Sequence, residues 1–187
     1  MKKLRIVTAA IASLLLVQAS AQTSTKGFSQ GKLVLADNSV VSGPIKDNIR
    51  RDAEVVVITD GKEKTYSGSD IVSAELNNNS FICIKGDFFK VISQGELSFL
   101  QKASDASSKP SYNGTEVIFI NGTEGNPGDY FIYSNKELKL VSKKNLNTLA
   151  AAAFGNYTPA IEKAKAAQGD IALLKDAVEL YNSRSSK

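Results

Sequence analysis

The residues of this 187-residue chain with the plainest capacity for chemistry are carboxylates, and Glu63, Asp70, Glu75, Asp87 and Glu96 follow one another through its first half. Two carboxyl groups facing each other across a cleft can hydrolyse a glycoside, one protonating the leaving oxygen and the other acting as base or nucleophile. All five, however, fall at expected strand ends and turns, where a solvated carboxylate is the ordinary state. No catalytic residue is assigned. A small hydrolase using paired carboxylates, with a bound cation as an option, stands as the alternative reading.

Oxygen donors gather again in residues 121–129, where Asn121, Thr123, Glu124, Asn126 and Asp129 fall within one polar turn. Calcium takes about six to eight oxygen ligands, so this turn has the right atoms. Its spacing lacks the alternation of an EF-hand loop, and Asn, Gly, Pro and Asp are also what any turn requires. No metal ligand and no cofactor are assigned.

The remaining inventory excludes more than it suggests. With no His, the chain has no Ser-His-Asp or Cys-His catalysis and no imidazole metal ligand. A single Cys forms no intramolecular disulfide and no Cys-ligated zinc or iron–sulfur site. Cys83, within Phe81-Ile82-Cys83-Ile84, reads as a small buried strand residue. A reactive thiol would need a nearby cation or base, for which Lys85 is the local candidate. Neither a GxGxxG loop nor a P-loop is present. Asn78, Asn113, Asn121 and Asn156 open Asn-x-Ser/Thr triplets, glycan acceptors in a eukaryotic secretory protein and plain turn residues in a bacterial one. Tyr130-Phe131-Ile132-Tyr133 alternates Tyr130 and Ile132 against Phe131 and Tyr133, giving either a stacking platform or a strand covered on both sides.

The N-terminus says where the chain goes. Lys2, Lys3 and Arg5 precede an uncharged run, Ile6 to Val17, and Ala19-Ser20-Ala21 supplies small residues for a cut between Ala21 and Gln22. This is the layout of a secretory signal peptide, residues 1–21, and its compact form is of the bacterial kind. The apolar run is short for a bilayer, which needs ~20 residues, so no stable transmembrane anchor is expected after cleavage. Cleavage removes three of the 23 basic residues and none of the 19 acidic ones, leaving a net charge of +1. No basic stripe with interleaved aromatics remains, and nucleic acid is not an expected partner.

The elements that must position these groups come in two sorts. Through residues 22–103 the chain reads as short strands with turn signals every 8–12 residues. Asp60-Gly61 between β-branched segments is the clearest hairpin signal, joined by Asn77-Asn78-Asn79, Lys85-Gly86 and Gln94-Gly95. Residues 104–115, dense in Ser, Pro, Asn and Gly, read as a loop or linker and the place for a domain boundary, unless 22–103 and 116–187 form one domain. Within 116–187, strands are expected at 116–120, 130–133 and 138–141. Helical spacing then takes over with Leu146, Leu149, Ala150, Ala153 and Phe154, an N-cap at Thr158 before Pro159, and a third helix capped by Asp170. That helix carries Ile171, Leu174, Val178 and Tyr181 on one face, and Leu173, Ala177 and Leu180 are expected to widen the face that packs. The fold class is α+β: an antiparallel β meander, as a small barrel or sandwich, followed by two or three C-terminal helices.

The segments GKLVLADNSVVSGPI, VVVITDGKEKTYSGSDIVS, YFIYSNKELKLVSKKNL and AVELYN, with a signal ending Ala-x-Ala-Gln, resemble secreted proteins of unknown function from the Bacteroidota. Asn38 stands where the commoner turn has Gly. The shared patterns concern turns and packing, so the resemblance implies location and fold and carries over no site residue. The leading expectation is an exported, non-catalytic binding or structural module, periplasmic or secreted, whose partner is an unidentified envelope or extracellular protein or glycan.

Overall fold

The structure, a computed structural model, describes residues 26–108, 110–112, 117–119 and 122–184. The expected signal segment, the Ala21/Gln22 site and the triplets at Asn113 and Asn121 lie outside the described residues. Two four-stranded meanders form most of the main sheet. The first is β1 (Phe28–Leu35), β2 (Val40–Asn48), β3 (Glu54–Thr59) and β4 (Lys62–Ser67), with a one-turn helix α1 (Ile49–Asp52) at its β2–β3 corner. The second is β5 (Ile71–Leu76), β6 (Asn79–Ile84), β7 (Asp87–Ser93) and β8 (Ser98–Lys102). Strand β5 returns to pair with the free side of β1. Two later strands, β11 (Tyr130–Ser134) and β12 (Glu137–Leu140), extend the sheet past β8, so the order runs β12-β11-β8-β7-β6-β5-β1-β2-β3-β4.

Turn chemistry sets this register. Asp60-Gly61, Asn77-Asn78, Lys85-Gly86 and the later Asn135-Lys136 all have positive φ at both central residues, the conformation that matches the twist of a two-residue hairpin. Between the meanders the chain comes very close to itself. A Cβ on Gly68 would collide with the Gly86 carbonyl oxygen, so glycine alone fits where the β4–β5 turn meets the β6–β7 turn. The first seven strands share a core of Leu33, Ile45, Val55, Val57, Phe81 and Phe88.

The α+β order is as expected, but the sheet does not close into a barrel or pair with a second sheet into a sandwich. Strands β4 and β12 remain as its edges. The covering layer is helical instead: α2 (Leu146–Phe154), α3 (Thr158–Ala166) and α4 (Ile171–Ser183) bury Leu149, Phe154, Leu174, Val178 and Tyr181 against Leu97, Phe99 and Ile132. Burial of each large side chain is worth ~1.5–3 kcal/mol. Asp170 Oδ1 caps α4 by accepting the Ala172 and Leu173 amides at 2.9 and 3.4 Å. The other expected cap is displaced: α3 starts with Thr158 inside the helix and Tyr157 at the cap position. Asn182 ties α4 to the sheet, donating to the Leu97 carbonyl at 2.9 Å and accepting the Leu97 amide at 3.0 Å.

The expected linker, 104–115, is not structureless. It contains a 3-10 turn at Ala106–Ser108 and strand β9 (Pro110–Tyr112), which pairs with β10 (Val117–Phe119). The main sheet continues beyond it, since β11 pairs with β8 on one side and β12 on the other. Both faces of β11 are covered. Phe131 packs with Phe89 and Leu100, while Tyr130 stacks on Phe99 with ring centroids 5.5 Å apart. No helix among the described residues is long and apolar enough to cross a membrane.

Candidate functional site

Asp87, a candidate acid, is wholly buried at the start of β7, and its partner is Lys102 at the end of β8, equally buried, with Nζ 3.2 Å from Asp87 Oδ2. Burying two charges is costly unless every remaining polar atom is satisfied. Here Asp87 Oδ1 accepts the Ala106 amide at 2.6 Å, and Oδ2 accepts the Thr123 amide at 2.7 Å and its hydroxyl at 2.6 Å. The Lys102 ammonium donates to the Thr123 and Gly125 carbonyls at 2.8 and 3.0 Å. The oxygen-rich turn therefore does surround a cation, and that cation is a lysine ammonium. Of its other oxygen donors, Asp129 Oδ2 accepts the Asn126 amide at 2.7 Å, an ordinary turn contact.

The other four carboxylates are dispersed. Asp70 accepts the Ser67 amide and hydroxyl at 2.9 and 2.7 Å across the β4–β5 turn. Glu63 is exposed on β4, and Glu75 is exposed on β5 opposite Lys32. Both oxygens of Glu96 accept from Arg184, at 2.8 and 2.9 Å, and one also accepts the Tyr181 hydroxyl at 3.0 Å. Burial and the bond to Glu96 push the Tyr181 hydroxyl above its ordinary pKa. Glu96 also lines a pocket of about 270 Å³ together with Glu137, which pairs with Lys139 at 3.0 Å. Among the described residues no three Asp, Glu or Cys side chains gather as a metal site would need.

Cys83 is half-buried against the first core, and burial, followed by the Asp87 charge, pushes its thiol well above the ordinary value. Lys85 stands in the turn beyond it with positive φ. One further pattern, not singled out from the sequence, is Gly27-Phe28-Ser29-Gln30-Gly31, the letters of a GxSxG nucleophile elbow. It runs from the turn at Gly27 into β1, with Ser29 opposite Ile45 of β2, instead of lying on a strand-to-helix turn. Lys32, three residues on, points to the opposite face of the strand, so it cannot serve Ser29 as a base.

A recess with a different lining lies elsewhere. Phe81, Lys90 and Gln101 stand directly opposite one another across the β6–β7 and β7–β8 ladders, forming one row. Facing that row is the β2–α1 corner with Asp47 and Arg50, and the rim is completed by Pro127 and Gly128; together they enclose about 250 Å³. The last two belong to the same turn that Lys102 and Asp87 hold in place, and the Gly128 amide donates to the Lys102 carbonyl at 2.8 Å. Asp47 turns one oxygen to its own corner, accepting the Ile49 amide at 3.0 Å. Arg50 and Lys90 have no ion-pair partner among the described residues. Gln101 donates to the Gly128 carbonyl at 3.3 Å.

None of the cleft's polar residues stands out in the sequence, because they come from separate elements. One signal was available. In Phe88-Phe89-Lys90-Val91-Ile92, strand alternation places Lys90 on the same face as Phe88 and Ile92, a charge on an apolar face.

No family model matches this sequence, and no curated protein and no solved structure matches it at a significant level.

Proposed function

We propose that the protein is an exported, non-catalytic binding module of the cell envelope, and that its ligand seat is the cleft between the β2–α1 corner and the Phe81–Lys90–Gln101 row. The observation that carries this reading is the pair Arg50 and Lys90, two cations at one recess with no ion-pair partner among the described residues. The recess takes one residue-sized group, whether free or the end of a glycan or protein. Export rests on the N-terminal segment of the sequence. The dispersal of Glu63, Asp70, Glu75 and Asp87 supports binding over hydrolysis.

The second reading, a small hydrolase using paired carboxylates, is favoured by one observation: Glu96 and Glu137 line the same pocket. One experiment separates the two. Isotope-labelled protein is titrated with a low-molecular-weight extract of the bacterial envelope and followed by amide NMR, while the solution is monitored for products. Shifts clustered at Asp47, Arg50, Lys90, Gln101 and Gly128 without turnover are expected. Product formation abolished by Glu137→Gln would replace the binding reading with the hydrolase.

A further inference from the structure

We infer that the ligand of this cleft is a small organic anion: an oxyanion, carboxylate or phosphate ester, on an apolar body of about one ring. The inference rests on the cleft being the ligand seat. Its first support is charge. Three cationic residues line the recess, Arg50, Lys90 and Lys102, against one acid, Asp47. Lys102 is already answered by Asp87, and Asp47 has one oxygen engaged by the Ile49 amide. What faces the ligand is therefore an excess of positive charge, from a guanidinium whose fork suits an oxyanion and an ammonium that adds a point charge.

The second support is the apolar part of the lining. Ile49, Phe81 and Ala103 belong to the first core or pack against it, so an apolar patch lies beside the two cations. A simple inorganic ion would leave that surface wet. A body bearing both an oxyanion and an apolar ring satisfies both parts at once. Size is compatible: a recess of about 250 Å³ has room for a body of one ring with its headgroup.

The test compares benzoate and phenyl phosphate with benzyl alcohol and benzamidine, a neutral and a cationic body of similar size, and with inorganic phosphate. Each is titrated into the full mature chain and followed by amide NMR. Benzoate or phenyl phosphate is expected to bind about tenfold or more tighter than benzyl alcohol, as charge-assisted hydrogen bonds require. Whichever of the two wins identifies the headgroup. That preference should vanish in Arg50→Gln and in Lys90→Gln and weaken as salt is raised. Arg50 is exposed, so Arg50→Gln retains the fold and carries the test alone if Lys90→Gln does not fold. Benzyl alcohol or benzamidine shifting the cleft amides as strongly as benzoate would overturn the anionic class and leave the cleft as the seat. Inorganic phosphate binding as tightly as phenyl phosphate would overturn the apolar body. No shift at the cleft with any probe would overturn both the inference and the reading on which it rests.

Discussion

Replacing Lys102 by methionine removes one charge from a fully buried pair while keeping most of the side chain's length. The ammonium lies 3.2 Å from Asp87 and donates to three carbonyls, of Thr123, Glu124 and Gly125, at 2.8, 3.4 and 3.0 Å. Its loss leaves a buried carboxylate without a counter-charge and removes this donor from three carbonyls. Breaking a buried pair costs about 3–5 kcal/mol, and an orphaned buried carbonyl about 1–3 kcal/mol. Water entering the vacated space offsets some of the second cost, so a loss of about 3–5 kcal/mol is expected, a large part of a typical ~5–15 kcal/mol stability. Adding Asp87→Asn to Lys102→Met should restore about 1–2 kcal/mol by removing the stranded charge. It should not restore the whole, because the new amide cannot accept the Ala106 amide, the Thr123 amide and the Thr123 hydroxyl as Asp87 does. Equilibrium urea unfolding measures the loss, and amide hydrogen exchange at Thr123 and Ala106 locates it. A loss below about 1 kcal/mol, or a double variant no more stable than the single one, would refute the buried-pair reasoning.

Other changes test other parts of the structure. Leu174→Ala should cost ~2–5 kcal/mol in the same unfolding assay, whereas Leu173→Ala, on the exposed side of α4, should stay within about 0.5 kcal/mol; equal effects would contradict the packing of α4. Cys83, with its thiol pKa raised by burial, is mostly protonated even at mildly alkaline pH, so thiol-reactive dye should label it slowly in the native state and rapidly in denaturant. Fast native labelling would contradict that environment. Gly68→Ala should cost at least ~1–3 kcal/mol, because its new methyl would run into the Gly86 carbonyl; an unchanged melting temperature would contradict the contact. N-terminal sequencing of the exported protein should read from Gln22, and an intact Met1 would contradict export by cleavage.

Local elements were the legible part of this molecule. Asp60-Gly61 and Asn77-Asn78 announce their turns because Gly and Asn tolerate positive φ. Asn135-Lys136 makes the same turn but hides it, since lysine carries no such preference. The α4 stripe was visible at helical spacing, and its burial follows from having a sheet face to cover. Strand β9 was hidden in a segment whose Ser, Pro and Gly content reads as loop. The return of β5 to β1 left no trace in local pattern, because a pairing between distant strands is decided by which faces remain uncovered. The site was least legible. Lys102 reads as a surface charge at a strand end until Asp87 and the carbonyls of 123–125 are placed around it, and the cleft joins residues from β2, α1, β6, β7 and β8.

The central position of the β1–β5 ladder has a consequence for how the chain reaches this state. Within each meander, neighbouring strands meet across short connections, but Leu33 meets Ala74 only after three intervening strands. Closing about 40 residues instead of a two-residue turn adds ~2–3 kcal/mol of chain entropy, so this ladder is expected to form late. Until it does, the first meander carries an open edge at β1, with Leu33 and Val34 on either face of it. A second copy's β5 presents the native complement to that edge. Anything that delays the second meander, such as slow synthesis beyond Ser67, prolongs the interval in which two copies exchange these strands, and the product would be a swapped dimer held by native ladders.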